Sequence, residues 1–301
     1  MTDAARISGG VNPTLRGILP ILTVLLAIGA IWYLAAIWMN APWVRDQAAR
    51  ADAVLTTGDL IHQTLTLERP VLPAPHQVAA GLWEGVAGQK ITSKRSLIWH
   101  GWITLSATLA GFAIGTVAGI LLAVGIVHNR AMDQSVMPWA VASQTVPILA
   151  IAPMVIVVFA SMGVTGLLPK AIIAAWLSFF PVLVGMVKGL RTPEAMQLDL
   201  MHSWNASGAQ RFWRLRLPSS LPYLFASLKV AIAAALVGTI VGELPAGATA
   251  GLGARLLSGS YYGQTVQIWS ALFAAAILAA GLVMLIGALE RLTLRRMGLA
   301  R

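Results

Sequence analysis

The chain contains no cysteine, which excludes disulfides, thiolate zinc sites, iron–sulfur clusters and a cysteine nucleophile. Charge is nearly as scarce. Asp, Glu, Lys and Arg make up 11% of 301 residues, against about 25% in an ordinary soluble domain. Acids are rarer than bases, 11 against 21, leaving a net charge of +10. The bases are too thinly scattered to form a nucleic-acid footprint, so no nucleic-acid partner is expected. His62, His76, His100, His128 and His202 lack the paired spacing of a metal site. Phosphate-loop and Gly-x-Ser-x-Gly signatures are missing too, so neither catalysis, a metal nor a cofactor is expected. What the chain does have is apolar length. Hydrophobic residues make up 57%, and formally uncharged runs cover 17–44, 96–129, 134–169 and 256–289. Each run exceeds the roughly 20 residues needed to cross a bilayer. The expectation is an all-α integral membrane protein, with backbone groups satisfied inside each spanning helix.

About six transmembrane helices are read, near 17–39, 101–127, 139–160, 168–188, 221–243 and 266–289. The first follows Arg6 and Arg16 but is longer than the roughly 7 to 15 apolar residues of a signal core, so it reads as a retained helix. Lys229 lies inside the fifth span, about two turns from its start, where a long side chain snorkels to the interface. The larger share of Lys and Arg falls on the side of the termini, which places both in the cytoplasm. The division is then a cytoplasmic N-terminus 1–16, a first helix 17–39, an external loop 40–100, a membrane core 101–290 and a cytoplasmic C-terminus 291–301. The external loop carries Leu72-Pro73-Ala74-Pro75, which cannot be helical throughout, and a short helix around Val78 to Val86.

The segment from Lys188 to Leu221 is much longer than the two to eight residues usual between bundled helices. Thr192-Pro193-Glu194 reads as a helix start, with a hydroxyl cap, Pro at the first position and an acid near the positive dipole end. That helix runs to about Trp204. Asn205 then takes the left-handed conformation, Ser207 caps a second short helix, and Pro218 breaks it. Such a helix–turn–helix loop, 189–220, is either an inert amphipathic connection or a docking element.

This segment resembles the cytoplasmic coupling loop of ABC importer permeases, whose pattern is Glu-Ala-Ala, a later Gly and a terminal Leu-Pro. Asp199 stands at the Glu position, Leu200 and Met201 at the alanines, Asn205 at the Gly, and Leu217-Pro218 at the end. The resemblance continues in Gln144-Thr145-Val146-Pro147, Ala152-Pro153, Phe179-Phe180-Pro181, Leu221-Pro222-Tyr223, Gly242-Glu243 and Gly251-Leu252-Gly253. In that order these are similar to the nitrate, sulfonate and taurine type of binding-protein-dependent permease, over roughly residues 70–298. The resemblance implies the type I importer architecture in a bacterial inner membrane. It also implies separate ABC ATPase subunits, a periplasmic or extracellular solute-binding protein, and a second permease subunit, identical or not. Asp199, Met201, His202, Trp204, Asn205 and Ala206 surround the turn and are the expected ATPase contacts. The solute would be nitrate-, sulfonate- or taurine-like, or a small heterocycle such as a pyrimidine precursor.

Other features stay open in the sequence. Gly111, Gly115 and Gly119 form a small-residue face, for packing within the chain or between two subunits. Gln144, Thr145 and Ser178 either line a pathway or bond neighbouring helices. Glu243 either gates or pairs with Lys170 or Arg255, and the stretch 244–265 is an external gate or a plain loop. A secondary transporter driven by an ion gradient is the competing class. It calls for intramembrane acids or broken helices in two repeated halves; Glu243 is the only acid near a span outside the ends, and no repeat is visible.

Overall fold

A computed structural model describes residues 13–245 and 249–298. Residues 1–12 of the expected N-terminal segment, 246–248 of the Gly/Ala-rich stretch and 299–301 lie outside the described residues. Among those described there is no strand, and the chain forms two compact units.

The first unit comprises Met1–Gly81 with Gly263–Val266. Its long helix α1, Pro13–Arg50, has 38 residues, about 57 Å at 1.5 Å per residue, nearly twice a hydrocarbon core of about 30 Å. Near the far end of α1 packs α2, Thr57–Thr66. Thr56 starts α2 with a capping box: its hydroxyl accepts from Asp59 N–H, and the Asp59 carboxylate accepts from Thr56 N–H. The Thr56 hydroxyl also donates to that carboxylate and holds the Asp59 pKa below its ordinary value. Asn40 is buried and pins the extended stretch 67–74 by accepting from Val71 N–H at 2.8 Å and donating to Leu72 O at 3.0 Å. The expected short helix is present as α3, Pro75–Val86.

The second unit comprises Leu82–Tyr262 with Gln267–Arg301. Its centre is the trio α4 (Leu97–His128), α7 (Leu167–Leu190) and α10 (Leu217–Gly242), the most closely packed helices of the chain. Gly111, Gly115 and Gly119 turn out to be the α4–α7 seam. A Cβ on Gly111 would overlap Ala174, one on Gly115 would overlap Ser178, and one on Gly119 would lie 2.7 Å from Phe179 O. The absent side chains let two backbones touch. Gly185 and Gly189 do the same for α7 against Ser227 and Ser220 of α10.

The third expected span is not one helix. The chain forms α5 (Arg130–Ser143) and α6 (Ile148–Ser161), bent by 96° across Gln144–Pro147. Pro147 has no N–H to continue the ladder and restricts Val146 to extended conformations, so the helix ends there and restarts in a new direction. Among the described residues five further helices are long and apolar enough to cross a membrane, and the bent pair makes a sixth crossing if it spans as one. The connection after α7 carries α8 (Ala195–Ser203) and α9 (Gly208–Arg211). Beyond α10 come α11 (Leu252–Tyr261) and α12 (Thr265–Arg296). Lys229 of α10 is paired with Glu290 of α12, so the lysine has a partner where the sequence suggested only snorkelling.

Candidate functional site

Two polar constructions stand out in the second unit. The first is the α8–α9 loop. Its first helix starts later than expected: Glu194, not Thr192, precedes it, with Glu194 N–H donating to Gln197 Oε1 at 3.1 Å. The Thr192 hydroxyl instead donates to Lys188 O, one turn back. The end of the helix follows the sequence. Asn205 has φ +52°, and Ala206 N–H donates to Met201 O at 3.0 Å, closing the helix as a left-handed cap. Ser207 then caps α9, exchanging bonds with Gln210.

The expected break at Pro218 is absent. The chain runs from α9 through a single π turn, Phe212–Arg216, straight into α10, where Pro218 occupies the first turn. The proline gives up one bond of the ladder, and the wide π turn before it makes room for its ring. Gly208–Gly242 is therefore one 35-residue helical rod.

Around the turn, Asp199, His202, Trp204 and Asn205 are exposed, and Met201 and Ala206 are half-buried. Arg211 Nη1 donates to His202 Nε2 at 2.6 Å and braces α8 against α9. Sequence reasoning passed over Met196 and named Leu200 only as an alanine replacement. These two are 74% and 51% exposed and share a helix face with Trp204, 71% exposed, at spacings of four. Three exposed apolar side chains in a row are the signal that was available.

The second construction is centred on Glu243, just beyond the end of α10 and fully buried. Its carboxylate accepts from Thr104 Oγ1 of α4 (2.9 and 3.1 Å to the two oxygens), from Lys170 Nζ of α7 (3.3 Å) and from Gly253 N–H of α11 (3.0 Å). Lys170 also donates to Ala250 O at 2.9 Å, and Thr104 Oγ1 accepts from Leu252 N–H at 2.9 Å. His100 Nδ1 accepts from Gly251 N–H at 3.0 Å, so its proton sits on Nε2, which donates to Lys94 O. Gly251, at φ +124°, fits because a Cβ there would collide with the Glu243 carboxylate.

The knot thus fastens residues 250–253 to α4, α7 and α10. Of the two cations open to Glu243 in the sequence, Lys170 is the partner. Arg255 faces elsewhere: its Nε is buried without a partner, and burial, then Arg95, lowers its pKa. Thr104 and His100 were missed. They begin a stripe of buried polar and small residues, 100, 104, 108, 111, 115 and 119, at helical spacing along α4.

The remaining candidates separate. Gln144 and Thr145 lie exposed at the α5–α6 bend, whereas Ser178 is buried in the α4–α7 seam and donates to Ala175 O at 3.3 Å. Nothing brings these three together. Groups of His, Asp or Glu able to hold a metal are absent among the described residues.

The helix–turn–helix is thus exposed and runs without a break into a helix long and apolar enough to cross a membrane. Residues 115–299 match the family model for the binding-protein-dependent transport system inner membrane component. The chain belongs to that family. It is the permease subunit of an ABC importer for a small solute, a multi-pass inner-membrane protein. The secondary-transporter reading falls with that assignment.

Curated relatives agree. The chain is 34% identical to the riboflavin transport system permease protein of Chloroflexus aurantiacus, over 75% of this chain and 80% of that protein. It is 33% identical to the formylaminopyrimidine transport permease protein of Halalkalibacterium halodurans, over 61% and 68%. It is 27% identical to the taurine transport system permease protein of Escherichia coli, over 79% and 85%. Permeases of this family work with ATPase subunits and a solute-binding protein.

Proposed function

We propose that the α8–α9 loop is the dock for the ATPase, with Asp199, Met201, His202, Trp204, Asn205 and Ala206 at the contact and Met196 and Leu200 extending it. The observation that carries this is the exposed apolar row Met196, Leu200 and Trp204 beside a braced turn. An apolar face that none of the described residues covers, on a loop of fixed geometry, suits a cleft on a partner. The 35-residue rod from Gly208 to Gly242 links that dock to the Glu243 knot, so a push on α9 is delivered about 50 Å away at 1.5 Å per residue.

In this reading both termini and the dock are cytoplasmic, residues 250–253 lie on the outer side, and two permease subunits, alike or different, enclose the pathway. Gln144 and Thr145, exposed at the α5–α6 bend, face that pathway or the second subunit. Ser178 packs helices. Glu243 anchors the outer segment as a paired group, and the permease contributes two conformations but no chemistry. The names of two relatives, 34% and 33% identical to this chain over the aligned residues, specify ring-bearing solutes. A small heterocycle is therefore the proposed solute, ahead of a nitrate-, sulfonate- or taurine-like one.

Vesicles carrying the permease, its ATPase and its binding protein test the assignment. Asp199→Lys is expected to abolish ATP-dependent uptake while membrane insertion is unchanged; undiminished uptake contradicts the dock. Single cysteines at Ser207 and Ser258 of this cysteine-free chain are expected to label from the cytoplasm and from outside, respectively. Labelling of both from one side contradicts the orientation.

A further inference from the structure

A cavity of 690 Å³ lies between α4, α6 and α7, with Gly242, Thr249 and Ala250 on its remaining wall. That volume falls within the range of about 300–1,000 Å³ typical of small-molecule sites. Most of the lining is apolar, as at Ile156 and Ala160. Its polar groups are the hydroxyls of Ser106, Thr165 and Thr249 and one cation, Lys170.

Lys170 decides what chemistry fits. Its ammonium is held by the Glu243 carboxylate at 3.3 Å and by Ala250 O at 2.9 Å, and its side chain is 11% exposed. Glu243 has no exposed surface. An anion entering the cavity would give up its hydration to meet a cation whose charge the buried Glu243 carboxylate already balances, and that carboxylate would repel it, which is unfavourable. An uncharged molecule makes no such demand. Flat rings match apolar walls, and a few hydroxyls suffice to orient ring nitrogens and carbonyls.

We propose that this cavity is a solute subsite for an uncharged heterocycle, with the Lys170–Glu243 pair excluding small anions. The proposal rests on the reading of the solute as a small heterocycle and adds its place in the chain and its lack of net charge. Lumichrome, a neutral fluorescent fused ring, serves as probe with the full-length permease in lipid nanodiscs. Binding is expected to saturate at one probe per chain and to be unaffected by nitrate or methanesulfonate. Ala160→Trp or Ile156→Trp, each filling the cavity, is expected to weaken it about tenfold or more. Glu243→Gln removes the counter-charge and is expected to let methanesulfonate compete.

Probe signal that rises without saturation, equal in discs with and without protein, would mean that lipid chains or a second copy fill the space, and would overturn the proposal. So would displacement by nitrate from the unmodified chain, which needs no variant to observe. ATPase co-purification on the same samples separates the two claims. Failure of lumichrome to bind with the ATPase retained removes the subsite alone.

Discussion

The two ends of the long α9–α10 rod are built on opposite principles. At the Glu243 end the side chains of the knot are bonded and, apart from the 11% exposed Lys170, buried, and three other helices contribute partners. At the α8–α9 end the side chains that matter are exposed, and the bonds that hold the turn are local, spanning 3 to 9 residues. A group that is buried and satisfied fixes a fold, whereas a group that is exposed on a fixed backbone is free to meet a partner. Stability and function should therefore come apart between the ends.

The strongest test of that separation is Gly251→Val. It places a branched side chain against the Glu243 carboxylate at a φ of +124°, and the expected loss is about 4 kcal/mol or more, read as a large drop in thermal midpoint. Next comes Glu243→Ala, which strands Lys170, Thr104 Oγ1 and Gly253 N–H in a buried site. Its expected cost is about 3–5 kcal/mol, with Glu243→Gln milder because it keeps the shape and several bonds. At the other end Arg191→Ala breaks an exposed pair with Asp133 at 2.8 Å and is expected to cost at most about 1 kcal/mol, less in high salt. A loop substitution as damaging as Glu243→Ala would erase the contrast.

The same division governs what could be read from the sequence. The Asn205 turn and the Ser207 cap were legible because a cap is decided within a few residues of chain. So was the helical membrane class, which follows from apolar run length alone. The 96° bend after Ser143 was not, since whether a proline kinks a helix or ends it depends on packing that lies elsewhere in the chain. Pro218 failed in the opposite sense, carried through by a π turn that no local pattern announced. Glu243 was noticed as an unusual acid, but its choice of Lys170 over Arg255 and its bond to Thr104, 139 residues away, are facts of tertiary structure. The polar stripe on α4 could have been found by reading residues 100 to 119 at helical spacing.

The most direct test of the central claim is the amount of ATPase that co-purifies per permease with Trp204→Glu, compared with the unmodified chain at equal thermal midpoint. A charge placed on the exposed apolar row is expected to reduce the retained ATPase about tenfold or more, as for a central interface residue, while the midpoint stays within the small shift of a surface substitution. Full retention of the ATPase with a stable permease would contradict the account.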